Sequence, residues 1–166
     1  TLGVNLAYFS ANPPATRADV IKALQQTSPF NGWIIGYGYV AAMLKDGAVT
    51  LADLDAAFPD TPVMIATLST LTGQVNSAGL AKLGLTPDSK AASPGVIVKD
   101  PKTGKLTGEL LFTPFLLARL QAVGSYPQSV SIKTFKAAEA LLAQQGYTTV
   151  QSYQLMPQEV KDLRAA

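Results

Sequence analysis

Aspartates grouped early in the chain are the residues whose type could bind a metal ion. Asp46, Asp53, Asp55 and Asp60 lie within one short stretch, and carboxylate oxygens are ligands that suit magnesium and calcium. The stretch lacks the Asp-x-Asp-x-Asp-Gly pattern of a calcium-binding loop. Asp53 also follows Thr50 by three residues, which is the spacing of a helix capping box. The pattern therefore favours helix capping and a solvated surface over a metal site.

Glycines and lysines could bind phosphate, but their spacing completes no phosphate-binding motif. Gly36-Tyr37-Gly38 resembles the start of a dinucleotide-binding fingerprint and lacks its third glycine. Gly104-Lys105 lacks the upstream glycine of a P-loop. We therefore interpret the segment 95–108 as an exposed hairpin with solvated lysines, namely Lys99, Lys102 and Lys105.

Small polar residues and aromatic residues are the candidates for binding a small molecule. A polar cluster follows a predicted strand at 63–66, and strand ends are where α/β folds bind ligands; its members are Ser69, Thr70, Thr72, Asn76 and Ser77. Helix N-cap hydrogen bonding is the alternative interpretation, and we favour it for most of them. Aromatic residues near position 35 could line a pocket or fill the core. We take Trp33, Tyr39 and Asn76 as the predicted substrate-binding residues.

The composition excludes several classes of active site. The 166 residues include no His and no Cys, which removes Ser-His-Asp and Cys-His triads, imidazole-dependent zinc or iron sites, disulfides and thiolate clusters. The remaining chemistry belongs to carboxylates, Lys, Tyr, Ser and Thr, or to binding without catalysis.

The charge pattern limits the partners. Thirteen basic and 11 acidic residues give a net charge of +2 without a basic stripe, so nucleic acid is not an expected partner. Charged residues make up 14% of the chain, against about 25% in typical soluble domains, which suggests a piece of a larger assembly or chain. No apolar run reaches the ~18 residues of a membrane span, and no signal peptide is recognisable after Thr1. We expect a cytoplasmic location.

Helices and short strands must position these residues. Capping pairs and apolar periodicity predict helices at 16–26, 50–57, 72–83, 114–123 and 131–145, with a last helix from Pro157. Runs of β-branched and aromatic residues predict strands at 33–37, 63–66 and 147–151, and a hairpin at 96–110. The expected fold class is α/β, or α+β as an isolated piece, rich in helices with short strands and one hairpin.

Six stretches taken in order resemble the YtcJ-like branch of the metal-dependent amidohydrolase superfamily. Order and spacing hold from about residue 32 to residue 151; the stretches are Gly32–Tyr39, Thr50–Val63, Val75–Leu80, Pro94–Asp100, Thr103–Gly108 and Gly146–Val150.

The resemblance implies a partial (β/α)8 barrel that carries an insertion domain. Family members hydrolyse amide-like C–N bonds on such a barrel and have a long insertion after the first barrel strand. By resemblance, residues 1–128 are this insertion-type region, and residues 129–166 are the helix-strand-helix segment that belongs to the barrel. A zinc-like divalent metal is then expected only in a complete member. The implied partners are a small-molecule substrate and either the rest of the barrel or another chain, with a homo-oligomer as a further option.

The chain departs from the family pattern at four polar positions. Val40 and Ser152 stand where the family has Asp, Leu71 where it has His, and Phe112 where it has Glu. Only Asn76 and its neighbours match, so the resemblance implies no catalytic and no metal-binding residue in this chain. Three hypotheses remain open. The first is a fragment or divergent member of a metal-dependent amidohydrolase, and the second is a non-catalytic pseudoenzyme or interaction module that kept the fold. The third is a small-molecule binding protein that uses the region of Trp33, Tyr39 and Asn76.

Overall fold

Short parallel strands and an antiparallel ribbon form one sheet in the first of two structural units. The computed structural model describes residues 3–7, 10–124, 127–151 and 157–165. The chain divides into residues 1–124, which hold the sheet, and residues 125–166, whose described elements are helices. The predicted α/β class is confirmed in this mixed form.

Six strands and four α-helices form the described part of the first unit, and two further helices, α5 and α6, follow in the second. The strands are β1 (Val4–Asn5), β2 (Ile34–Tyr39), β3 (Val63–Thr67), β4 (Thr72–Val75), β5 (Gly95–Lys99) and β6 (Leu106–Phe112). The helices are α1 (Arg17–Gln25), α2 (Leu51–Ala57), α3 (Ser77–Lys82), α4 (Thr113–Val123), α5 (Gln128–Gln144) and α6 (Pro157–Ala165), with a 3-10 turn at Ala41–Met43. No helix in these described ranges is long and apolar enough to cross a membrane.

The strand directions bring several strand ends to one side of the sheet. The order is β1-β2-β3-β4-β6-β5; β1, β2 and β3 run parallel, while β4 and β5 run antiparallel to their neighbours. Because β6 is antiparallel to β4, it runs in the same direction as β3. The carboxyl ends of β1, β2, β3 and β6 therefore lie at the same end of the sheet.

Both faces of the central strands are buried, because neighbouring side chains point to opposite sides. Ile34, Val63 and Ile65 pack with α1 and α2 residues in one hydrophobic cluster. Ile35 and Met64 pack in a second cluster with residues of α3 and α4. A sheet covered on both faces reads as a continuous apolar run in sequence, as β2 and β3 do.

Capping boxes fix the starts of α1 and α2 as predicted. The Thr16 hydroxyl accepts from Asp19 N at 3.2 Å, and Thr16 N donates to the Asp19 carboxylate at 3.0 Å. Thr50 and Asp53 repeat the arrangement at 3.2 Å and 2.8 Å. Each box satisfies amide groups that would otherwise lack partners at a helix start.

The predicted helix at 72–83 is wrong in its first half. Residues 72–75 form β4, which pairs with β3 through Met64 and Val75 and with β6 through Gly73 and Leu110. Burial alternates along β4, which is the period of a strand. The helix α3 starts only at Ser77, after Asn76 has capped it.

The predicted strand at 147–151 is also not formed. These residues belong to no helix or strand in the described structure, and the side chains of Tyr147 and Val150 are 61% and 60% exposed. A parallel strand needs a neighbour for its backbone hydrogen bonds, and the described part of this unit supplies only α5 and α6. On α5, the predicted apolar face is half-buried at Ile132, Phe135 and Leu142 and exposed at Ala138.

Candidate functional site

The carboxyl ends of β2, β3 and β6 form a rim together with the turn between β3 and β4. We define this carboxyl rim as Val40, residues 67–72 and Phe112. Leu68 N donates to Tyr39 O at 3.0 Å, and Phe112 N donates to Leu71 O at 2.8 Å. Val40 directly follows Tyr39, the last residue of β2. This carboxyl rim therefore brings together Val40, Leu71 and Phe112, three of the four positions where the resemblance implies a polar residue. The fourth, Ser152, lies outside the described residues.

Hydrogen bonds within residues 67–72 hold the turn between β3 and β4. The Thr67 hydroxyl lies 3.1 Å from the Ser69 hydroxyl and 3.0 Å from the Thr72 hydroxyl, and it donates to Thr72 O at 2.9 Å. Thr70, whose φ is +59°, donates its N–H to Thr67 O at 2.9 Å. Ser69, Thr70 and Thr72 of the predicted polar cluster thus build a turn together with Thr67, through hydroxyl groups and the Thr70 amide.

The rim exposes large apolar side chains. Leu68, Leu71 and Phe112 are 44%, 41% and 48% exposed. Phe112 has φ +57° and ψ −120°, a conformation that costs a bulky residue about 1–3 kcal/mol. Valine, leucine and phenylalanine can neither coordinate a metal nor transfer a proton, so the rim carries no catalytic group at these three positions.

Asn76 is fully buried and uses its whole side-chain amide inside the protein. Its Oδ1 accepts from Val63 N and Gly79 N, both at 2.9 Å, and its Nδ2 donates to Phe58 O at 2.8 Å and to Thr61 O at 2.9 Å. These bonds cap α3 and tie the segment after α2 to the start of β3. A carboxamide has two donors and two acceptor sites, so this geometry gives Asn76 a structural role.

Trp33 is likewise part of the core. It lies immediately before β2, is fully buried, and has the Lys82 ammonium 5.4 Å from its ring centroid. A Cβ added to Gly79 would lie 3.0 Å from the Trp33 ring and 3.1 Å from Asn76 Oδ1. Trp33 and Asn76 are therefore neighbours at the amino end of the sheet.

Tyr39 lies at the opposite end of β2, roughly 20 Å away at ~3.3 Å per residue. Its buried hydroxyl accepts a hydrogen bond from Val49 N at 2.8 Å, and burial raises the pKa of the phenol above its usual value. Of the three predicted substrate-binding residues, Tyr39 alone lines the cleft described next. Substrate binding by Trp33, Tyr39 and Asn76 stays a prediction.

A cleft of about 660 Å³ opens beside the carboxyl rim, between α2, the sheet and the β5–β6 hairpin. Its floor is largely apolar, and its polar lining includes Gln74 and Glu109, which the sequence reasoning did not single out. Gln74 Nε2 donates to Thr107 O at 2.7 Å. Alternate polar positions along β4 and β6 could have signalled this lining, but only once both segments had been recognised as strands. The lining includes Tyr39, Leu51, Gly73, Gln74, Leu106 and Glu109.

The grouped aspartates Asp46, Asp53 and Asp55 bind the starts of helices α1, α2 and α3 through hydrogen bonds and an ion pair. Arg17 Nη1 lies 3.1 Å from the Asp53 carboxylate, and Arg17 N donates to Asp46 at 2.9 Å. Hydrogen bonds from the Thr50 amide and hydroxyl, followed by the Arg17 charge, lower the pKa of Asp53. Asp55 accepts from Ser77 N at 2.8 Å and from the Ser77 hydroxyl at 2.7 Å. Capping, the interpretation favoured by the sequence, is confirmed for Asp53.

The hairpin lysines are exposed as predicted. The Asp100 carboxylate accepts from the amides of Lys102 and Thr103 at 2.9 Å and 2.8 Å and so closes the turn. Lys99, Lys102 and Lys105 are all exposed.

A mixed six-stranded sheet whose central strands are buried on both faces, with a rim and a cleft at its carboxyl ends, defines an α/β fold. Two solved structures share this fold: uncharacterized metal-dependent hydrolases from Pyrococcus horikoshii and Pyrococcus furiosus, with TM-scores of 0.58 and 0.56 at 17% and 16% identity. Each match covers 99% of this chain, and 30% and 31% of the respective archaeal chains.

The chain belongs to the amidohydrolase family, whose model matches residues 1–166. YtcJ of Bacillus subtilis strain 168, a protein assigned as an amidohydrolase, is 37% identical over 92 residues. That alignment covers 55% of this chain and 17% of YtcJ. The chain thus spans less than a third of the relatives it matches, and the resemblance to the YtcJ-like branch is confirmed.

The residues present do not fit the metal that hydrolases of this kind use. Across residues 3–7, 10–124, 127–151 and 157–165, no group of three or more His, Cys, Asp or Glu could hold a metal ion. The aspartates near Arg17 are occupied by caps and an ion pair, and the rim offers only apolar side chains and the hydroxyls of Thr and Ser.

Proposed function

We propose that this chain is a non-catalytic region of a metal-dependent hydrolase that cleaves amide-like C–N bonds. In this proposal, residues 1–128 are the insertion-type region after the first strand of a (β/α)8 barrel, and residues 129–166 belong to the barrel itself. The observation that carries it is the rim: Leu71 and Phe112 lie together where the fold places strand ends, within a chain that matches the family model over its whole length.

The metal and the reacting groups then come from the rest of the barrel, which is the expected partner of this chain. A bound zinc-like ion would supply an activated water. This chain contributes the cleft beside the rim, where Tyr39 contacts a small-molecule substrate. Trp33 and Asn76 support that surface through the fold.

Metal analysis and an amide-hydrolysis screen test the proposal on two samples, the 166-residue chain and the full-length polypeptide that carries it. We expect stoichiometric zinc-like metal and hydrolysis of simple amides only in the full-length polypeptide. Tight stoichiometric zinc or amide hydrolysis in the 166-residue chain would overturn the proposed division of roles.

A non-catalytic pseudoenzyme or interaction module is the second candidate, favoured by the apolar side chains at the rim. It predicts a full-length polypeptide that lacks both metal and hydrolytic activity. Light scattering on the same sample then tests for a defined homo-oligomer. A metal-bound, active polypeptide would contradict this alternative, and a metal-free, inert monomer would contradict its interaction role.

A further inference from the structure

We propose that the carboxyl rim is a docking surface on which the remainder of the hydrolase polypeptide packs. The inference rests on the proposed function and specifies the surface through which this region joins the rest of the protein. Its apolar contacts are the side chains of Leu68, Leu71 and Phe112.

The surface chemistry of the rim suits protein packing. Residues 67–72 read Thr-Leu-Ser-Thr-Leu-Thr and contain no charged side chain. Three large apolar side chains lie exposed on two segments joined by the bond from Phe112 N to Leu71 O. This backbone bond makes Leu71 and Phe112 neighbours, and exposed apolar groups close together on a surface mark interaction sites on folded proteins.

Hydrogen bonds within the rim also fix its backbone conformation in the absence of a partner. The Thr67 hydroxyl ties the turn to Ser69 and Thr72, and Leu71 N donates to the Ser69 hydroxyl at 3.3 Å. Thr70 and Phe112 both keep positive φ values. A backbone already fixed in one conformation loses less entropy when it docks, so these restraints favour binding at the rim.

The occupant follows from how the same fold continues in longer proteins. This chain superposes along 99% of its length on archaeal hydrolases, yet accounts for only 30% and 31% of them. In α/β sheets the carboxyl ends of strands are where functional sites assemble. The remaining polypeptide is therefore a larger and more specific partner for the rim than a second copy of this chain.

Hydroxyl-radical footprinting compares side-chain oxidation in the 166-residue chain and in the full-length polypeptide. We expect oxidation of Phe112 and Leu71 to fall at least fivefold in the full-length polypeptide. Equal oxidation rates in both samples would overturn the docking surface. Protection that rises with concentration in the 166-residue chain, together with a dimer mass by light scattering, would also overturn it and assign the rim to a second copy.

A charge variant gives an independent measurement. Leu71→Glu should leave the thermal midpoint of the 166-residue chain within 2 °C, because this side chain is exposed there, and should lower that of the full-length polypeptide by at least 5 °C. Leu120→Glu is the matched control, because Leu120 is similarly exposed at the far end of α4. Equal shifts for the two variants in the full-length polypeptide would contradict docking at the rim.

Metal content and amide hydrolysis of the same full-length sample separate the two proposals. A metal-bound, active polypeptide with an exposed rim overturns the docking surface and supports the proposed function. A protected rim in an inert, metal-free polypeptide supports the docking surface and overturns the proposed function.

Discussion

Single side chains hold this fold at points where the backbone changes direction. Asn76 joins β3, α3 and the segment after α2 through one buried amide. Arg17 joins the starts of α1 and α2 through Asp46 and Asp53. Asparagine and arginine can be catalytic residues in other sites. Here Asn76 and Arg17 instead connect structural elements that lie far apart in the chain.

Replacing Asn76 with Ala should lower the free energy of unfolding by about 3 kcal/mol, because it removes a helix cap and leaves buried amide groups unpaired. Urea denaturation monitored by circular dichroism measures the loss. Ser77→Ala, which removes an exposed hydroxyl next to it, is the control and should lose about 1 kcal/mol or less. A loss below 1 kcal/mol for Asn76→Ala would contradict the structural role.

Asp53 should make stability depend on pH in the acid range. Its pKa is lower in the folded protein than its usual 3.8, so its contribution is present above that value and is lost as the pH falls through the folded pKa. Asp53→Asn should therefore reduce stability at pH 7 by about 0.5–1 kcal/mol, a figure limited by solvent screening, and the difference should vanish below the folded pKa. Urea denaturation from pH 7 to pH 2 measures it, with the exposed Asp60→Asn as control; a pH-independent difference would contradict this account.

At the scale of elements, the sequence predicted the parts of the structure that depend on neighbouring residues. It did not predict the parts that depend on contacts between residues far apart in the chain. The helix starts at Thr16 and Thr50 follow from residues three positions apart, and such signals are legible in sequence. Strand β4 depends on pairing with β6, whose residues lie more than thirty positions later. The segment 147–151 has strand composition but no strand beside it in the described structure, since composition alone supplies no hydrogen-bonding partner.

The residues of the candidate site also differ in whether the sequence alone could predict their roles. The capping role of Asp53 could be read from the chain, whereas the convergence of Val40, Leu71 and Phe112 depends on the strand order. Trp33 and Tyr39 lie six positions apart in the sequence, and β2 separates them because it begins directly after Trp33 and ends at Tyr39. Each residue of an extended strand adds about 3.3 Å, so two residues that are close in sequence can lie far apart in the fold.

Gly73→Ala should test how tightly β4 packs. A Cβ at this position would collide with the Phe115 ring and with Ile65 O, and overpacking of this kind costs about 1–3 kcal/mol. Gly47→Ala is the control, because it keeps open space around the new Cβ and introduces only backbone strain at φ +86°, worth about 1 kcal/mol. Urea denaturation should show the larger loss for Gly73→Ala; an equal or smaller loss would contradict the packing described for β4.

At the scale of the whole molecule, stability is concentrated in the first unit. The two hydrophobic clusters found among the described residues lie within residues 4–123, while α5 has no fully buried residue. Cooperative unfolding depends on a contiguous buried core. The first unit therefore contains a buried hydrophobic core large enough for it to fold on its own.

A chain shortened to residues 1–124 should unfold cooperatively, with a thermal midpoint within about 5 °C of the 166-residue chain. Circular dichroism with thermal and urea denaturation measures this. A chain shortened to residues 1–112 is the control and should fail to fold, because it lacks α4 and the buried Phe115. An unfolded 1–124 chain would contradict the independence of the first unit.

The bond between Phe112 N and Leu71 O joins backbone atoms, so the side chains above it take no part in forming it. The residues at these two positions can therefore be exchanged by single substitutions without rebuilding the sheet that carries them. A histidine at position 71 or a glutamate at position 112, which the resemblance implies for the family, would occupy the same scaffold as Leu71 and Phe112. Polar chemistry at this place is then gained or lost through side chains alone.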